Sequence, residues 1–427
     1  MLTTSPSLQI LPIDHPLNAS VRVPGSKSLT NRALLIASLA HGTTRLTNAL
    51  FSDDSRYFAE ALQALGFSVQ LDEGSREMTV TGMGGRIPAE KAELFVGNAG
   101  TAARFLTAFL TLGKGEYSLD GDLRMRERPI GDLVDALSQL GVELETTNNC
   151  PPVEIFASGL PGGKTRIAGD ISSQFLSALL MVAPYARSPI EIEVTTALNS
   201  KPYVDMTIAV MKDFGVEVER RGYEHFIIQP SIFSSISPYS IESDASAASY
   251  FFAAPAICGG RVRVENISPN SVQGDIAFLD ILQQMGCTIQ AGTGYIEVSR
   301  TDKLLGVEVD MRDIPDTAQT LAVIAPFASS PTRIRGIASA RLKETDRIHA
   351  TCTELARLGI PVEEHEDGMT IHPCHKIQPG IIQTYNDHRM AMSFALIGLQ
   401  VKGITIENPS CVSKTFPNYF EVLDALR

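Results

Sequence analysis

The segment SKSLTNRALLIASL, residues 26–39, is almost entirely apolar after a short polar start. Such a helix is buried on most of its sides. Five further segments have the same character: GNAGTAARFLTAFL (97–110), ISSQFLSALLMVA (171–183), SDASAASYFFAAPAI (243–257), IPDTAQTLAVIAPFA (314–328) and YNDHRMAMSFALIGL (385–399). Equivalent positions are spaced by 72, 72, 72, 72 and 71 residues, at Ser28, Gly100, Ser172, Asp244, Asp316 and Asp387. The chain is therefore predicted to contain six copies of one unit of about seventy residues.

A second predicted helix in the units ends in glycine and leads directly into a strand, as in AEALQALGFSVQ (59–70). Glycine just past a helix end supplies the left-handed residue that stops the helix, and the β-branched residues beyond it favour extended chain. The glycines concerned are Gly66, Gly141, Gly215, Gly286 and Gly359. Each unit is thus expected to combine one amphipathic helix, one buried helix and several strands, the reverse of an ordinary α/β barrel.

Six units divide naturally into two domains of three. The stretch QPSIFSSISPY (229–239) is rich in Ser and Pro and is typical of a linker. The segment before Val23 precedes the first full unit, so we expect it to pack with the second half of the chain. The predicted domains are residues 24–240, and residues 1–23 together with 241–427.

The composition is that of an ordinary globular protein, with 44% hydrophobic and 20% charged residues among 427. A net charge of −12 disfavours nucleic acid as a partner, because a phosphate backbone needs a broad basic surface. No apolar run reaches the ~20 residues of a membrane span. Six scattered cysteines and no secretory signal indicate the cytoplasm.

Polar and charged residues gather at the starts of the apolar helices, and basic residues recur in RMRERPIGDLVDAL, ARLKETDRIHA and SKTFPNYF. Helix N-termini attract phosphate and carboxylate groups, and Arg and Lys reinforce that attraction. If the buried helices of each domain run parallel, two domains closing face to face would form a cleft for a ligand with several negative charges.

These blocks resemble the enolpyruvyl transferase family that acts on shikimate 3-phosphate, the EPSP synthases, over almost the whole chain. The blocks that carry the resemblance are PGSKSLTNRA, GNAGTAARF, RMRERPIGDLVDAL, SSQFLSALL, SKPYVDMT, SDASAASYF, QGDI, IPDTAQT, LKETDRI, YNDHRMAMSFAL and KTFPNYF. The resemblance implies a two-domain inside-out α/β barrel of six βαβαββ-type units with buried parallel helices. It implies transfer of the enolpyruvyl group of phosphoenolpyruvate to the 5-hydroxyl of shikimate 3-phosphate, by addition and then elimination of phosphate. No cofactor, metal, membrane or nucleic acid is implied, and we expect a monomer.

The resemblance also assigns the site residues. Shikimate 3-phosphate would be bound by Lys27, Ser28, Arg32, Ser172, Ser173, Gln174, Ser200, Tyr203, Asp316, Ser339 and Lys343. Phosphoenolpyruvate would be bound by Lys27, Asn98, Gly100, Arg128, Gln174, Arg347, Arg389 and Lys414. The expected catalytic residues are Asp316 as the base for the 5-hydroxyl, Glu344 as the acid for the methylene carbon, and Lys27.

Two residues depart from the family pattern: Ser339, where many relatives have Asn, and Phe105, where many have Pro. Gly100 lets the backbone approach phosphoenolpyruvate closely, so the family inhibitor glyphosate is expected to bind there. The alternatives are the sister transferase that acts on UDP-N-acetylglucosamine and a non-catalytic binding protein for phosphorylated metabolites. The sister enzyme usually has a reactive cysteine in a loop that matches LRMRERPIG, which contains none.

Overall fold

The computed structural model describes residues 6–427, in which helices and strands alternate along the chain. The α-helices are α1 (Lys27–Leu39), α2 (Asp53–Ala64), α3 (Gly100–Leu110), α4 (Gly131–Gln139), α5 (Ser173–Val182), α6 (Lys201–Asp213), α7 (Ala245–Cys258), α8 (Phe278–Gln284), α9 (Ala318–Ile324), α10 (Arg347–Arg357), α11 (His388–Gly398) and α12 (Tyr419–Asp424). Short 3-10 helices span Met125–Glu127, Ala183–Tyr185, Gly274–Ala277, Pro315–Thr317, Ala325–Phe327, Ala338–Leu342 and Pro409–Lys414.

The predicted helices of both kinds are confirmed. The six apolar segments form α1, α3, α5, α7, α9 and α11, whose residues are nearly all buried. The α9 segment is short because it is flanked by 3-10 turns that begin at Pro315 and contain Pro326. The glycines after α2, α4, α6, α8 and α10 all have positive φ, between 74° and 97°.

The strands are β1 (Ser7–Gln9), β2 (Leu17–Val21), β3 (His41–Thr47), β4 (Ser68–Asp72), β5 (Glu77–Met83), β6 (Lys91–Phe95), β7 (Lys114–Asp120), β8 (Glu143–Thr147), β9 (Cys150–Ser158), β10 (Gly163–Ile167), β11 (Ile190–Val194), β12 (Glu219–Arg221), β13 (His225–Ile228), β14 (Tyr239–Ser240), β15 (Gly260–Glu265), β16 (Thr288–Gly292), β17 (Tyr295–Arg300), β18 (Glu308–Asp310), β19 (Thr332–Arg335), β20 (Val362–His365), β21 (Gly368–Ile371), β22 (Gly380–Ile382) and β23 (Ile404–Glu407).

One strand arrangement recurs in the sheets that residues 6–427 form. The orders are β14-β3-β5-β4, β6-β7-β9-β8, β10-β11-β13-β12, β2-β15-β17-β16, β18-β19-β21-β20 and β22-β23-β1. In each sheet the first pair is parallel and the remaining pairs are antiparallel. The protein is thus a mixed α/β fold with parallel strands.

Two of the parallel edge strands are exchanged between the halves of the chain. The strand β2 precedes α1 but pairs with β15, which follows α7. Conversely, β14 precedes α7 but pairs with β3, which follows α1. The chain therefore crosses between halves at residues 24–25 and again at 242–243, where the contact pattern divides it.

The contacts define two units, each with its own hydrophobic core. We call residues 25–242 the N-terminal unit, and residues 6–24 with 243–427 the C-terminal unit. Residues 1–5, which the sequence analysis assigns to the second domain, lie outside the described residues. Within the described part of the chain, no helix has the length and apolar character needed to cross a bilayer.

Candidate active site

In the N-terminal unit, serine side chains cap the helices that carry predicted substrate-binding residues. Ser26 precedes α1, and its hydroxyl accepts a hydrogen bond from the backbone N–H of Leu29. Ser172 precedes α5, and its hydroxyl accepts one from the N–H of Gln174 at 3.3 Å. These caps fix the first turns of both helices, where unpaired N–H groups favour an anion.

Lys27 begins α1 and is held by a buried carboxylate. Its ammonium lies 3.3 Å from Oδ2 of Asp54, whose side chain is only 2% exposed. Because Asp54 lies in the first turn of α2, this ion pair directs the ammonium toward the starts of both helices. The sequence analysis did not identify Asp54 as part of the site.

Arg32 is the most deeply buried of the predicted binding residues, with 1% of its surface exposed. Its guanidinium donates to Thr207 Oγ1, to Ser177 Oγ and to the backbone oxygens of Ser28 and Tyr203. Burial lowers the pKa of Arg32 to about 10, which still leaves it charged at neutral pH. Arg32 therefore holds α1 against α5 and α6, and four of the five N–H donors of its guanidinium are engaged within the protein.

The predicted phosphoenolpyruvate residues of the N-terminal unit lie together at the start of α3. Arg128 Nη1 donates to the backbone oxygen of Asn98 at 3.0 Å and to its Oδ1 at 2.8 Å. Gly100 allows this arrangement, because a Cβ there would lie only 2.8 Å from Arg128 Cζ and 2.9 Å from Nη1 of Arg104. One turn along α3, the ring of Phe105 lies under the Arg32 guanidinium, 5.2 Å from ring centroid to Cζ.

The other predicted residues of this unit are at the starts of α5 and α6. Gln174 Nε2 donates to Thr101 Oγ1 at 3.2 Å, which joins α5 to α3. Ser173 is 5% exposed and follows the Ser172 cap. Ser200 precedes α6 with a left-handed φ of 57°, and its backbone oxygen accepts from the N–H of Tyr203. A left-handed serine is uncommon outside glycine-like positions and is often found at functional sites.

The C-terminal unit brings most of its predicted residues into one ion-pair network, which we call the Asp316 cluster. Its members are Asp316, Lys343, Glu344, Arg347, Asp387, Arg389 and Lys414. Oδ1 of Asp316 accepts from Lys343 Nζ and from Arg347 Nη1, the latter at 3.1 Å. Oδ2 of Asp316 accepts from Arg389 Nη2 at 2.8 Å.

Arg347 is the centre of this network and is 3% exposed. Its Nε donates to Oδ2 of Asp387 at 2.7 Å, and its Nη2 donates to Oε2 of Glu344 at 2.7 Å. Glu344 also lies 3.9 Å from the ammonium of Lys414. The cluster thus contains four cations and three carboxylates, and the Asp387 side chain caps α11 by accepting from the N–H of Arg389.

Burial and the neighbouring charges together shift the pKa values of Asp316, Lys343 and the nearby Asp275. Burial alone raises the pKa of Asp316, but the three neighbouring cations outweigh it and hold that pKa well below its usual range. Burial lowers the pKa of Lys343, although the charge of Asp316 opposes this. Burial and then the charge of Asp316 raise the pKa of Asp275 to about 6. Asp316 is therefore ionised, and the nearby Asp275 binds its proton more tightly than an ordinary carboxyl group.

Two carboxylates of this region were missed as site residues. Asp387 stands at the repeat position equivalent to Asp316, which was a signal that it belongs to the site. Asp275 lies in the QGDI block and accepts a hydrogen bond from the Ser246 hydroxyl. Ser339, which was predicted, is half-buried in the 3-10 helix Ala338–Leu342 that leads to Lys343. Among residues 6–427 no group of three or more His, Cys, Asp or Glu side chains has the geometry to hold a metal ion.

The family model of EPSP synthase, 3-phosphoshikimate 1-carboxyvinyltransferase, matches residues 12–423. The chain belongs to the EPSP synthase family. A curated 3-phosphoshikimate 1-carboxyvinyltransferase from Trichormus variabilis is 50% identical over 416 residues, which cover 97% of each chain. The corresponding protein from Marinomonas sp. is 50% identical over 96% of this chain and 97% of its own. A solved EPSP synthase from Acinetobacter baumannii is 26% identical, covers 98% of both chains and superposes with a TM-score of 0.82.

These relationships confirm the family and the class of enzyme predicted from the sequence: an EPSP synthase-type carboxyvinyltransferase. They do not favour the UDP-N-acetylglucosamine enzyme or a binding protein without chemistry. In this family member, the Asp316 cluster and the capped helix starts are the structural features on which the proposed chemistry rests.

Proposed function

We propose that this chain transfers the enolpyruvyl group of phosphoenolpyruvate to the 5-hydroxyl of shikimate 3-phosphate, giving 5-enolpyruvylshikimate 3-phosphate and phosphate. The observation that carries the proposal is Asp316 in contact with three cations, Lys343, Arg347 and Arg389. Such a group offers both a carboxylate for proton transfer and concentrated positive charge for a substrate that carries a phosphate and a carboxylate.

Binding of shikimate 3-phosphate is assigned to small polar groups and a few cations. The residues proposed for it are Lys27, Ser28, Arg32, Ser172, Ser173, Gln174, Ser200, Tyr203, Asp316, Ser339 and Lys343. The capped start of α5 supports this assignment, because hydroxyls and backbone N–H groups at a helix start suit a phosphate. With four donors already engaged, Arg32 would act mainly by fixing Ser28 and Tyr203, whose backbone oxygens it binds.

Phosphoenolpyruvate binding is assigned to Lys27, Asn98, Gly100, Arg128, Gln174, Arg347, Arg389 and Lys414. Arginine matches the planar oxygens of carboxylate and phosphate, and Lys414 adds a point charge. An anionic substrate would compete with the protein carboxylates for these cations. The ion pairs of the Asp316 cluster are then those of the substrate-free protein, and bound phosphoenolpyruvate would replace some of them.

The reaction needs a base and an acid, for which we propose Asp316 and Glu344. In the addition step, Asp316 accepts the 5-hydroxyl proton, the oxygen bonds to C2 of phosphoenolpyruvate, and Glu344 protonates the methylene carbon. In the elimination step, the C2–O bond to phosphate breaks while a methyl proton returns to Glu344, and the proton held by Asp316 passes to the departing phosphate. Lys27 would stabilise charge on the phosphoenolpyruvate side. As the substrate anion draws cations from Asp316, the pKa of this carboxylate would rise and make it a better base.

We propose the same two-domain architecture as the sequence analysis: an inside-out α/β barrel of six βαβαββ-type units with buried parallel helices. The domains would be residues 24–240, and residues 1–23 with 241–427. The buried helices and the recurring strand order support this architecture. We further propose that the enzyme acts as a cytoplasmic monomer without a cofactor.

The test is phosphate release from phosphoenolpyruvate, with shikimate 3-phosphate and UDP-N-acetylglucosamine supplied separately. Release with shikimate 3-phosphate alone is the expected result. Release with the sugar nucleotide alone would assign the chain to the sister reaction. If folded protein releases phosphate with neither, the proposal of catalysis is wrong and the binding-protein alternative gains support.

A further inference from the structure

The segment Gln383–Asn386 connects β22 to α11 and has an unusual backbone. Tyr385 and Asn386 are both left-handed, with φ of 53° and 55°. A left-handed aromatic residue is a conformational outlier, and such residues persist only where surrounding contacts fix them. The segment leads directly to Asp387 and Arg389, so whatever fixes it also sets the position of two members of the Asp316 cluster.

The contact that fixes this segment is a buried carboxylate outside the Asp316 cluster, Glu354, which is 0% exposed. Its Oε1 accepts from the Tyr385 hydroxyl at 2.9 Å and from Arg357 Nη1 at 3.0 Å. Its Oε2 accepts from the backbone N–H of Gln383 at 3.1 Å. A buried carboxylate is tolerated when its oxygens are satisfied in this way, and here two of the three donors belong to the left-handed segment.

One helix holds both ends of the segment. Arg347 is the first residue of α10, and Glu354 comes seven residues later, which places both on the same face two turns apart. Arg347 Nε binds Asp387 at 2.7 Å, while Glu354 binds Gln383 and Tyr385. The helix therefore fixes the segment with respect to Arg347 itself.

A further contact connects the segment to the helix that carries Lys414, another cation of the Asp316 cluster. Oδ1 of Asn386 accepts from Nδ2 of Asn408 at 3.2 Å. Asn408, itself left-handed with φ of 46°, precedes the 3-10 helix that ends at Lys414. Thus the segment contacts the elements that carry Arg347, Arg389 and Lys414.

We propose that Glu354 is a positioning residue for phosphoenolpyruvate binding: its hydrogen bonds to Gln383 and Tyr385 set the relative placement of Arg347 and Arg389. Glu354 does not itself touch substrate. The inference rests on the proposed role of these arginines in binding phosphoenolpyruvate. It goes beyond that role by assigning their alignment to a residue two turns along α10.

The competing explanation is that Glu354 is only a structural partner of Arg357, three residues further along the same helix. The two explanations differ in what the loss of one hydrogen bond does. A structural ion pair affects stability and leaves the two substrates equally well bound. A positioning residue affects phosphoenolpyruvate selectively, because its contacts lead to cations assigned to that substrate.

The test compares three variants of the full chain. Glu354→Gln replaces one acceptor oxygen by an NH2 group that cannot accept a hydrogen bond. Tyr385→Phe removes only the hydroxyl of a residue that is 38% exposed and that lines an open cavity of about 360 Å³ with Gln383, Thr384, Asn386, Glu407 and Asn408. Glu297→Gln is the matched control, since Glu297 is 8% exposed and bound to Arg261 and Arg263 on a different sheet of the same unit.

Hydrogen–deuterium exchange without substrate gives the first readout. We expect the backbone amides of residues 383–389 to exchange about tenfold faster in Glu354→Gln and Tyr385→Phe, and at the normal rate in Glu297→Gln. Unchanged exchange in both variants would overturn the proposal. This measurement needs no reaction, so it decides whether Glu354 fixes the segment even if the unsubstituted protein releases no phosphate, which would overturn the proposed function instead.

Steady-state kinetics give the second readout. We expect KM for phosphoenolpyruvate to rise about tenfold in both variants, with KM for shikimate 3-phosphate within about twofold and kcat within about threefold of normal. Equal rises in both KM values, or normal values for both with only a lower Tm, would assign Glu354 a structural role. If Glu354→Gln does not fold, Tyr385→Phe, which retains the buried carboxylate, decides the question.

Discussion

Replacing Gly100 by alanine should weaken phosphoenolpyruvate binding and leave the binding of shikimate 3-phosphate nearly unchanged. The new Cβ would lie 2.8 Å from Cζ of Arg128 and 2.9 Å from Nη1 of Arg104. Carbon atoms pack best at about 3.5–4.0 Å, so the guanidinium of Arg128 has to retreat by about 1 Å. Arg128 is only 6% exposed and is held by two hydrogen bonds to Asn98, so it cannot move freely.

The size of the effect follows from those two bonds. They measure 3.0 and 2.8 Å, and a retreat of about 1 Å takes at least one of them beyond hydrogen-bonding range. A hydrogen bond to a charged group contributes about 1.5–3 kcal/mol, so a displaced guanidinium that loses one such bond to phosphoenolpyruvate raises KM for this substrate by about 10- to 100-fold. Alanine favours the helix over glycine by about 0.5–1 kcal/mol, which offsets only part of the hydrogen bond lost to Asn98, so Tm should fall slightly.

The assay is phosphate release at varied phosphoenolpyruvate and saturating shikimate 3-phosphate, with the reverse titration and a thermal melt alongside. Gly74→Ala is the matched control, because its Cβ would lie at an ordinary 3.4 Å from Asp72 Oδ1. A normal KM for phosphoenolpyruvate in Gly100→Ala would refute the reasoning that Arg128 is pinned against this helix start. A rise in KM for shikimate 3-phosphate as large as that for phosphoenolpyruvate would show that the substitution acts through the fold instead.

Three other predictions concern protonation and inhibition. Glu344→Gln should lower kcat by about 10²- to 10⁴-fold, as expected for loss of an acid–base group, whereas near-normal turnover would reduce Glu344 to a partner of Arg347. Asp275→Asn should stabilise the protein at pH 8 by up to about 3 kcal/mol and by almost nothing near pH 4. The reason is that the folded pKa of about 6 lies above the ordinary value of 3.8, so the folded state binds the proton more tightly and stability falls as pH rises between these values. Equal stabilisation at both pH values in denaturant titrations would contradict this assignment. Glyphosate should compete with phosphoenolpyruvate in initial-rate measurements, and inhibition that phosphoenolpyruvate cannot relieve would argue against binding beside Gly100.

The sequence predicted the elements of the fold well, because their signals are local. Apolar segments such as residues 26–39 and 385–399 identify buried helices from composition alone. A glycine such as Gly66 or Gly359, placed just past an amphipathic helix, stops that helix because glycine adopts the left-handed conformation at little cost. The regular spacing of these signals then indicated repetition of one unit, and the motif blocks identified the family.

The candidate site was predicted as a set of residues, but not as an arrangement. Arg32 was assigned to shikimate 3-phosphate, and nothing in the sequence indicated its bond to Thr207, 175 residues away. Asp316 was expected to act as a base, and the structure surrounds it with three cations that lower its pKa. Glu354 carried no signal in the sequence, because an acidic residue in a helix is most often exposed.

What the sequence by itself determined was therefore the kind, order and burial of the helices, and the residue types available at their starts. What only the tertiary structure decided was which of these residues meet. The exchange of β2 and β14 between the two halves depends on pairing with β15 and β3, strands far away in the chain. Likewise, Asp316 and Arg389 are 73 residues apart and meet only through the packing of α9 against α11. Conformational preferences act within a few residues of the chain. Ion pairs and strand pairs between distant residues form only when the chain has packed.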